Sequence, residues 1–154
     1  MAFYVIDSPI GLIKIVEKAG FITEIKETSE PVSDFPVPAS LEKAVDRIKE
    51  YFSGKEVRFD FPVNAAGSEF QLSVWNQCKR IPFGHTASYG EIALAIGKPL
   101  SARAVGNALG LNPLLLVVPC HRIVSKNGLG GFRLGPEVKK ILIELERRPT
   151  RDNH

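Results

Sequence analysis

Apolar and β-branched residues gather in three short runs at the start of the chain: Phe3 to Ile6, Leu12 to Glu17 and Phe21 to Ile25. Ser8-Pro9-Ile10-Gly11 and Ala19-Gly20 separate them with turn residues, so the pattern predicts three strands joined by tight turns. Glu30 to Pro38 is rich in proline, serine and acid and reads as a surface loop. The period then changes. Leu41, Ala44, Val45, Ile48 and Phe52 fall on one stripe of a helix over 41–52, with Ser40 placed to cap it and Gly54 to stop it. Val57 to Val63 returns to an apolar run and predicts a further strand.

From residue 67 the pattern is mostly helical. Ser68-Glu69-Phe70-Gln71 is a capping box that opens a helix to about Arg80, with Phe70, Val74 and Cys78 on one face. Ile81-Pro82-Phe83-Gly84 breaks it. Ser88-Tyr89-Gly90-Glu91 is a second capping box, starting a helix through Ile96; Gly97 stops it and Lys98-Pro99-Leu100 turns the chain. Ser101 is placed to cap the next helix, Ala102 to about Leu109, with Gly110 past its end. Helix, short turn and helix is the outline of a helix-turn-helix. Leu114 to Val118 is short and apolar enough for a buried strand, which Pro119 should end because it cannot donate to a ladder. Pro136 opens a last helix whose buried face is Val138, Ile141, Leu142 and Leu145; Glu146 lies at its edge, and Glu137 and Glu144 face solvent. The expected fold is α/β: a small N-terminal α/β domain with antiparallel strands (1–66) and a mainly helical domain containing the helix-turn-helix (67–154).

Charge sharpens this division. Residues 1–66 hold 8 Lys+Arg and 11 Asp+Glu, whereas residues 67–154 hold 12 and 6, so a net −3 precedes a net +6. The second segment is the one suited to a polyanion. With 44% hydrophobic and 24% charged residues, the composition is that of a soluble globular protein. No stretch approaches the roughly 20 apolar residues of a membrane span, and the first residues lack a signal-peptide pattern, so a cytoplasmic protein with free thiols is expected. A monomer is expected.

Chemistry concentrates in Pro119-Cys120-His121-Arg122. A thiolate is the competent nucleophile, so Cys120 needs a base, and a bend or a bridging water is required for its neighbour His121 to serve. Glu146 is a candidate to orient the imidazole. Cys78, on a helix face, reads as structural. Adjacent Cys and His with no second pair at ligand spacing make a poor metal site, and no metal or cofactor is expected. A cysteine protease would need the two residues on separate elements. A purely structural cluster is the third alternative. The helix Ala102–Leu109 lacks the long polar side chains that read a major groove. Its small residues instead allow close approach to another backbone, and its lone Arg103 is suited to a narrow groove or to the gap left by an extruded base.

Val118-Pro119-Cys120-His121-Arg122-Ile123-Val124 resembles the active-site signature of the O6-alkylguanine-DNA alkyltransferases. Phe83-Gly84, Ser88-Tyr89, Ser101 to Gly106, Asn112-Pro113, Gly130-Gly131-Phe132 and Lys139 through Glu146 extend the resemblance over about 68–148 in the family's order. It implies direct-reversal DNA repair: irreversible transfer of an alkyl group from guanine O6 in double-stranded DNA to Cys120, once per molecule. By the same resemblance His121, through a water, is the base; Glu146 polarises it; Asn112 holds the active-site turn; and Tyr89 donates to the guanine. Arg103 replaces the flipped base, and the helix carrying Ala102, Gly106, Asn107 and Leu109 docks in the minor groove. Carbonyls near Cys120 and Ile123 meet the guanine amine. The chain departs from the family at Arg133, where a serine is common, and at Leu115, where some members have a pocket proline. The zinc ligands that some members carry in the first domain are absent. A helix-turn-helix protein that senses alkylated DNA without transfer is the alternative; a branch of the family does this, but with the cysteine replaced.

Overall fold

The computed structural model describes residues 1–148. His154 and the other last five residues of the expected second domain lie outside the described residues. Strands β1 (Ala2–Ile6), β2 (Ile13–Lys18) and β3 (Phe21–Glu27) form an antiparallel meander in that order. Ala19 and Gly20 turn the chain between β2 and β3 with φ of 54° and 87°. Positive φ at both central residues is the type I′ geometry, whose twist matches the flanking strands. Helix α1 (Glu42–Phe52) supplies Ala44, Val45, Ile48 and Tyr51 to the core beside the sheet's Ile13, Ile15, Ile22 and Ile25.

Two expectations for this half need correction. Ser40 does not cap α1: a 3-10 turn, Ala39–Leu41, precedes the helix, and Ser40 Oγ donates to Glu17 Oε1 at 3.2 Å. Residues 57–63 form no strand beyond a single bridge between Val63 and Ile22. Ile22 N–H donates to the Pro62 carbonyl at 2.9 Å, but Pro62 has no N–H with which to continue a ladder.

Both capping boxes are present, at Ser68 before α2 (Glu69–Cys78) and at Ser88 before α3 (Tyr89–Ala95). Helix α4 (Ala102–Gly110) differs from expectation at both ends: Ser101 Oγ donates back to the Lys98 carbonyl at 2.7 Å rather than capping, and Gly110 is the last helical residue. Trp75 Nε1 donates to the Ala108 carbonyl at 2.8 Å and fixes α2 against α4. The helical half also holds a parallel pair, β4 (Ala87–Ser88) with β5 (Ile123–Val124). Helix α5 (Pro136–Arg147) opens with proline as expected, but its buried face is turned: Ile141 is exposed, whereas Lys139 and Ile143 are buried.

The run 114–118 is buried but is not a strand. Leu115 bridges Val118, Val118 N–H donates to the Leu114 carbonyl at 2.9 Å, and Leu116 adopts φ 73°. Asn112 drives this closure by accepting from Leu114 N–H at 2.8 Å and donating to the Val118 carbonyl at 2.8 Å. The loop also joins the two halves, because Ile25 N–H donates to the Pro113 carbonyl and Leu115 N–H donates to the Ile25 carbonyl. One apolar cluster runs from the sheet through α1 and α2 to α4 and α5. No described helix is long and apolar enough to cross a membrane.

Candidate active site

Cys120 opens a 3-10 turn, Cys120–Arg122, directly after the Asn112-bound loop. Pro119 has no N–H and Cys120 N–H is held by the Val118 carbonyl at 2.8 Å, so the backbone bends here. That bend, rather than a strand end, sets the three consecutive side chains on different paths.

Behind Cys120 lies a buried charged cluster. Glu146, from α5, accepts from His121 Nε2 and from the Tyr51 hydroxyl, both at 2.5 Å on Oε2. Arg122 grips the same carboxylate through Nε (2.8 Å) and Nη2 (3.1 Å), and Gly84 N–H adds a donor to Oε1 at 3.2 Å. Arg122 Nη1 donates to the Ile81 carbonyl at 2.7 Å. Burial works to raise the Glu146 pKa, but the His121 and Arg122 donors outweigh it and push it down to about 2. Burial lowers the His121 pKa against the pull of Glu146. The imidazole is therefore neutral near pH 7, with its proton on Nε2 facing Glu146. His121 Nδ1 is then a bare acceptor, and it is a buried atom with no partner among the described residues.

In front of Cys120 is a cavity of about 500 Å³. Tyr89, Leu115, Phe132, Leu134 and the α4 residues Ala102, Arg103, Gly106 and Leu109 line it, together with Cys120, Gly131 and Arg133. Burial raises the Cys120 pKa, while the Asn112 amide (3.3 Å from Sγ) and the charges of Arg133 and Lys139 oppose this. The resting group is a thiol that needs a base. Gly130 shapes the wall: with φ 74°, it passes so close to Tyr89 that a Cβ would sit 2.8 Å from the ring and hydroxyl.

The structure thus brings together Cys120, His121, Glu146 and Asn112, with Tyr89, Leu115 and Arg133 at the cavity. Tyr89 presently donates to the Gly131 carbonyl at 3.1 Å. Arg133 spans the Gly110 carbonyl (3.1 Å), the Asn112 carbonyl (3.0 Å) and Glu27 on β3 (3.3 Å). The Ile123 carbonyl already accepts from Lys139 Nζ at 2.5 Å, which leaves one lone pair for any other donor. Arg103 and Ala102 are exposed at the rim; Asn107 is exposed further along α4; Leu109 is buried rather than free to touch a partner. Cys78 is fully buried in α2, and burial pushes its thiol up. Among the described residues no group of three or more His, Cys, Asp or Glu is placed to hold a metal ion.

Residues 69–148 match the family description "6-O-methylguanine DNA methyltransferase, DNA binding domain". The chain belongs to this family. It is 42% identical over 149 residues to the methylated-DNA--protein-cysteine methyltransferase of Mycolicibacterium paratuberculosis, covering 93% of this chain and 90% of that relative. It is 50% identical over 111 residues to the inducible enzyme of that name from Bacillus subtilis, a match over 71% of this chain and 62% of the relative, which is less than two thirds of the relative's length. The crystal structure of Mycobacterium tuberculosis OGT in complex with DNA superposes with a TM-score of 0.85 at 39% identity, covering 94% and 92% of the two chains. An O6-methylguanine DNA methyltransferase from Methanococcus jannaschii gives 0.71 at 32% identity, covering 97% and 96%.

Within this methyltransferase fold, three residues without an assigned sequence role join the site. Arg122 neutralises Glu146. Lys139 is fully buried, donates to the carbonyls of Ile123 and Gly131, and has its pKa pulled down to about 8 by burial. Its spacing carried the signal, since it lies three residues before Leu142 on the inward stripe of α5. Tyr51 completes Ala44, Ile48, Tyr51 at i, i+4, i+7 on α1, a better inward stripe than the one ending at Phe52.

Proposed function

We propose that this chain repairs O6-alkylguanine in DNA by direct reversal, moving the alkyl group irreversibly to Cys120 once per molecule. The observation that carries the reading is a cysteine placed between an apolar cavity large enough for a base and a buried His–Glu pair with a free imidazole nitrogen. His121 Nδ1 takes the thiol proton, directly or through a water molecule, and Glu146 stabilises the resulting imidazolium. The sulfur attacks the alkyl carbon, a C–S bond forms, and the C–O6 electron pair leaves with the guanine, which takes up a proton. Tyr89 and the carbonyls at the cavity rim orient the base. Asn112 holds the turn and its amide lies on Sγ. A thioether has no easy leaving group, so the protein is consumed.

Reaching a base inside a duplex requires flipping it out. Helix α4 suits a minor groove because its exposed start is small, and Arg103 stands at the cavity rim where an extruded base would leave its gap. The basic second segment binds the DNA, and the first segment supports it. The protein acts as a monomer.

The test is intact and peptide mass measurement after incubation with an oligonucleotide carrying one O6-methylguanine. One methyl on Cys120, saturating at one per molecule, is expected. Tight lesion binding with no mass gain would replace repair by lesion sensing.

A further inference from the structure

Tyr51 comes from the acidic N-terminal half, yet its hydroxyl ends inside the charged cluster. It is 1% exposed, 2.5 Å from Glu146 Oε2 and 3.4 Å from His121 Nε2. Its ring packs edge-on to Phe52 and Phe83, so the hydroxyl is held there rather than drifting in. We infer that Tyr51 is a positioning residue that sets the basicity of His121 by sharing its proton with Glu146. This rests on the repair reading above.

The bonding leaves one consistent assignment. Glu146 is ionised beside Arg122, so it accepts from every neighbour. Burial and the Glu146 charge keep the phenol protonated, so Tyr51 donates. His121 Nε2 must then also donate, because a bare Nε2 would set two lone pairs against each other at 2.5 Å. Two donors therefore compete for Oε2. The phenol withdraws charge from the carboxylate, so the carboxylate pulls less on the Nε2 proton and raises the basicity of Nδ1 less. The charged and titratable groups facing this network are Arg122 and His121 on the 3-10 turn, Glu146 and Lys139 on α5, Cys120 at the turn's start, and Tyr51 on α1. Only Tyr51 among them comes from outside the family-matched 69–148 segment.

Tyr51→Phe keeps the ring and removes the proton. The side-chain 15N resonances of His121 are followed against pH in unreacted protein without DNA, alongside the rate of methyl transfer against pH. The histidine titration is expected to move up by about half a unit or more, and the acid limb of the transfer rate to move with it. A titration unchanged from the parent, with only a lower melting temperature, overturns the proposal and makes Tyr51 a packing residue. Should Tyr51→Phe fail to fold, 3-fluorotyrosine at position 51 is a stronger donor of nearly equal size and should move the titration down; no movement overturns the proposal equally. The NMR arm needs no chemistry, so a protein that shows the shift but never methylates Cys120 would sink the repair reading and leave this one standing.

Discussion

Cys120 divides two regions of opposite character. Behind it, five donors converge on one buried carboxylate: Tyr51, His121, Arg122 through two nitrogens, and Gly84 N–H. In front, a cavity of about 500 Å³ is walled mostly by apolar side chains and glycine backbone. The rear is committed at every polar atom of the cluster but one, His121 Nδ1, which has no partner among the described residues. The front is open, and its mostly apolar wall carries the two cations Arg103 and Arg133. A transfer that must recognise a flat base yet move one proton benefits from this split, because shape selects the substrate while a buried, preorganised network handles the proton.

The largest expected effect lies at the boundary itself. Cys120→Ser should gain no methyl from O6-methylguanine DNA by mass measurement, whereas Cys78→Ala, in α2 and away from the cavity, should still gain one. A methyl on the Cys120→Ser protein would move the acceptor elsewhere. Next is the rear. Glu146→Gln leaves the Arg122 charge buried without its counterion, and breaking such a pair costs about 3–5 kcal/mol. Chemical denaturation should show this loss, and a change under about 1 kcal/mol would mean that the cluster is more hydrated than its burial implies.

Acid should unpick the same region. The His121 pKa lies below its free value of 6.5, so the neutral imidazole stabilises the fold above pH 6.5 and this contribution fades as pH falls below it. Glu146, near 2 against a free value of 4.5, contributes fully above pH 4.5 and loses its share between about 4.5 and 2. The second step is on the order of 3 kcal/mol. Melting temperature measured from pH 7 to 3 should fall in two stages, and Glu146→Gln should erase the lower one. Lys139 acts with the same sign in a higher window: with its folded pKa near 8 against 10.5, stability rises as pH climbs from about 8 to 10.5.

The front gives the smallest effect. Arg103→Ala should slow repair in duplex DNA by about tenfold, corresponding to about 1.4 kcal/mol of lost support for the flipped state. Reaction with a free O6-alkylguanine analogue should be unchanged, since nothing there needs flipping. Equal slowing on both substrates would make Arg103 a wall of the cavity and nothing more.

Much of the architecture was legible because it is local. Three strands, two capping boxes, the tandem short helices and the proline-opened last helix each depend on residues within a few positions of one another. The order Pro119-Cys120-His121-Arg122 likewise announced reactive chemistry, and Glu146 at the edge of an apolar helical face pointed inward as read. The misreadings fall where distant chain decides. Residues 114–118 have the composition of a strand, but Asn112 closes them into a loop. Residues 57–63 have it too, but only Val63 finds a bridge, and Pro62 cannot extend it.

Sequence by itself determined the first three strands, the capped helices, the family and the identity of the reactive triplet, since periodicity, capping and motif spacing act over short separations. Only the tertiary structure decided that the Lys139 ammonium meets the carbonyls of Ile123 and Gly131 and that the first half reaches the site. Tyr51 and Glu146 lie 95 residues apart, and their contact arises because the packed core sets α1 against the carboxylate end of α5. No local pattern encodes such a meeting. A phenol on an amphipathic helix has the same spacing whether it faces a leucine or a buried charge, and burial energy alone chooses which.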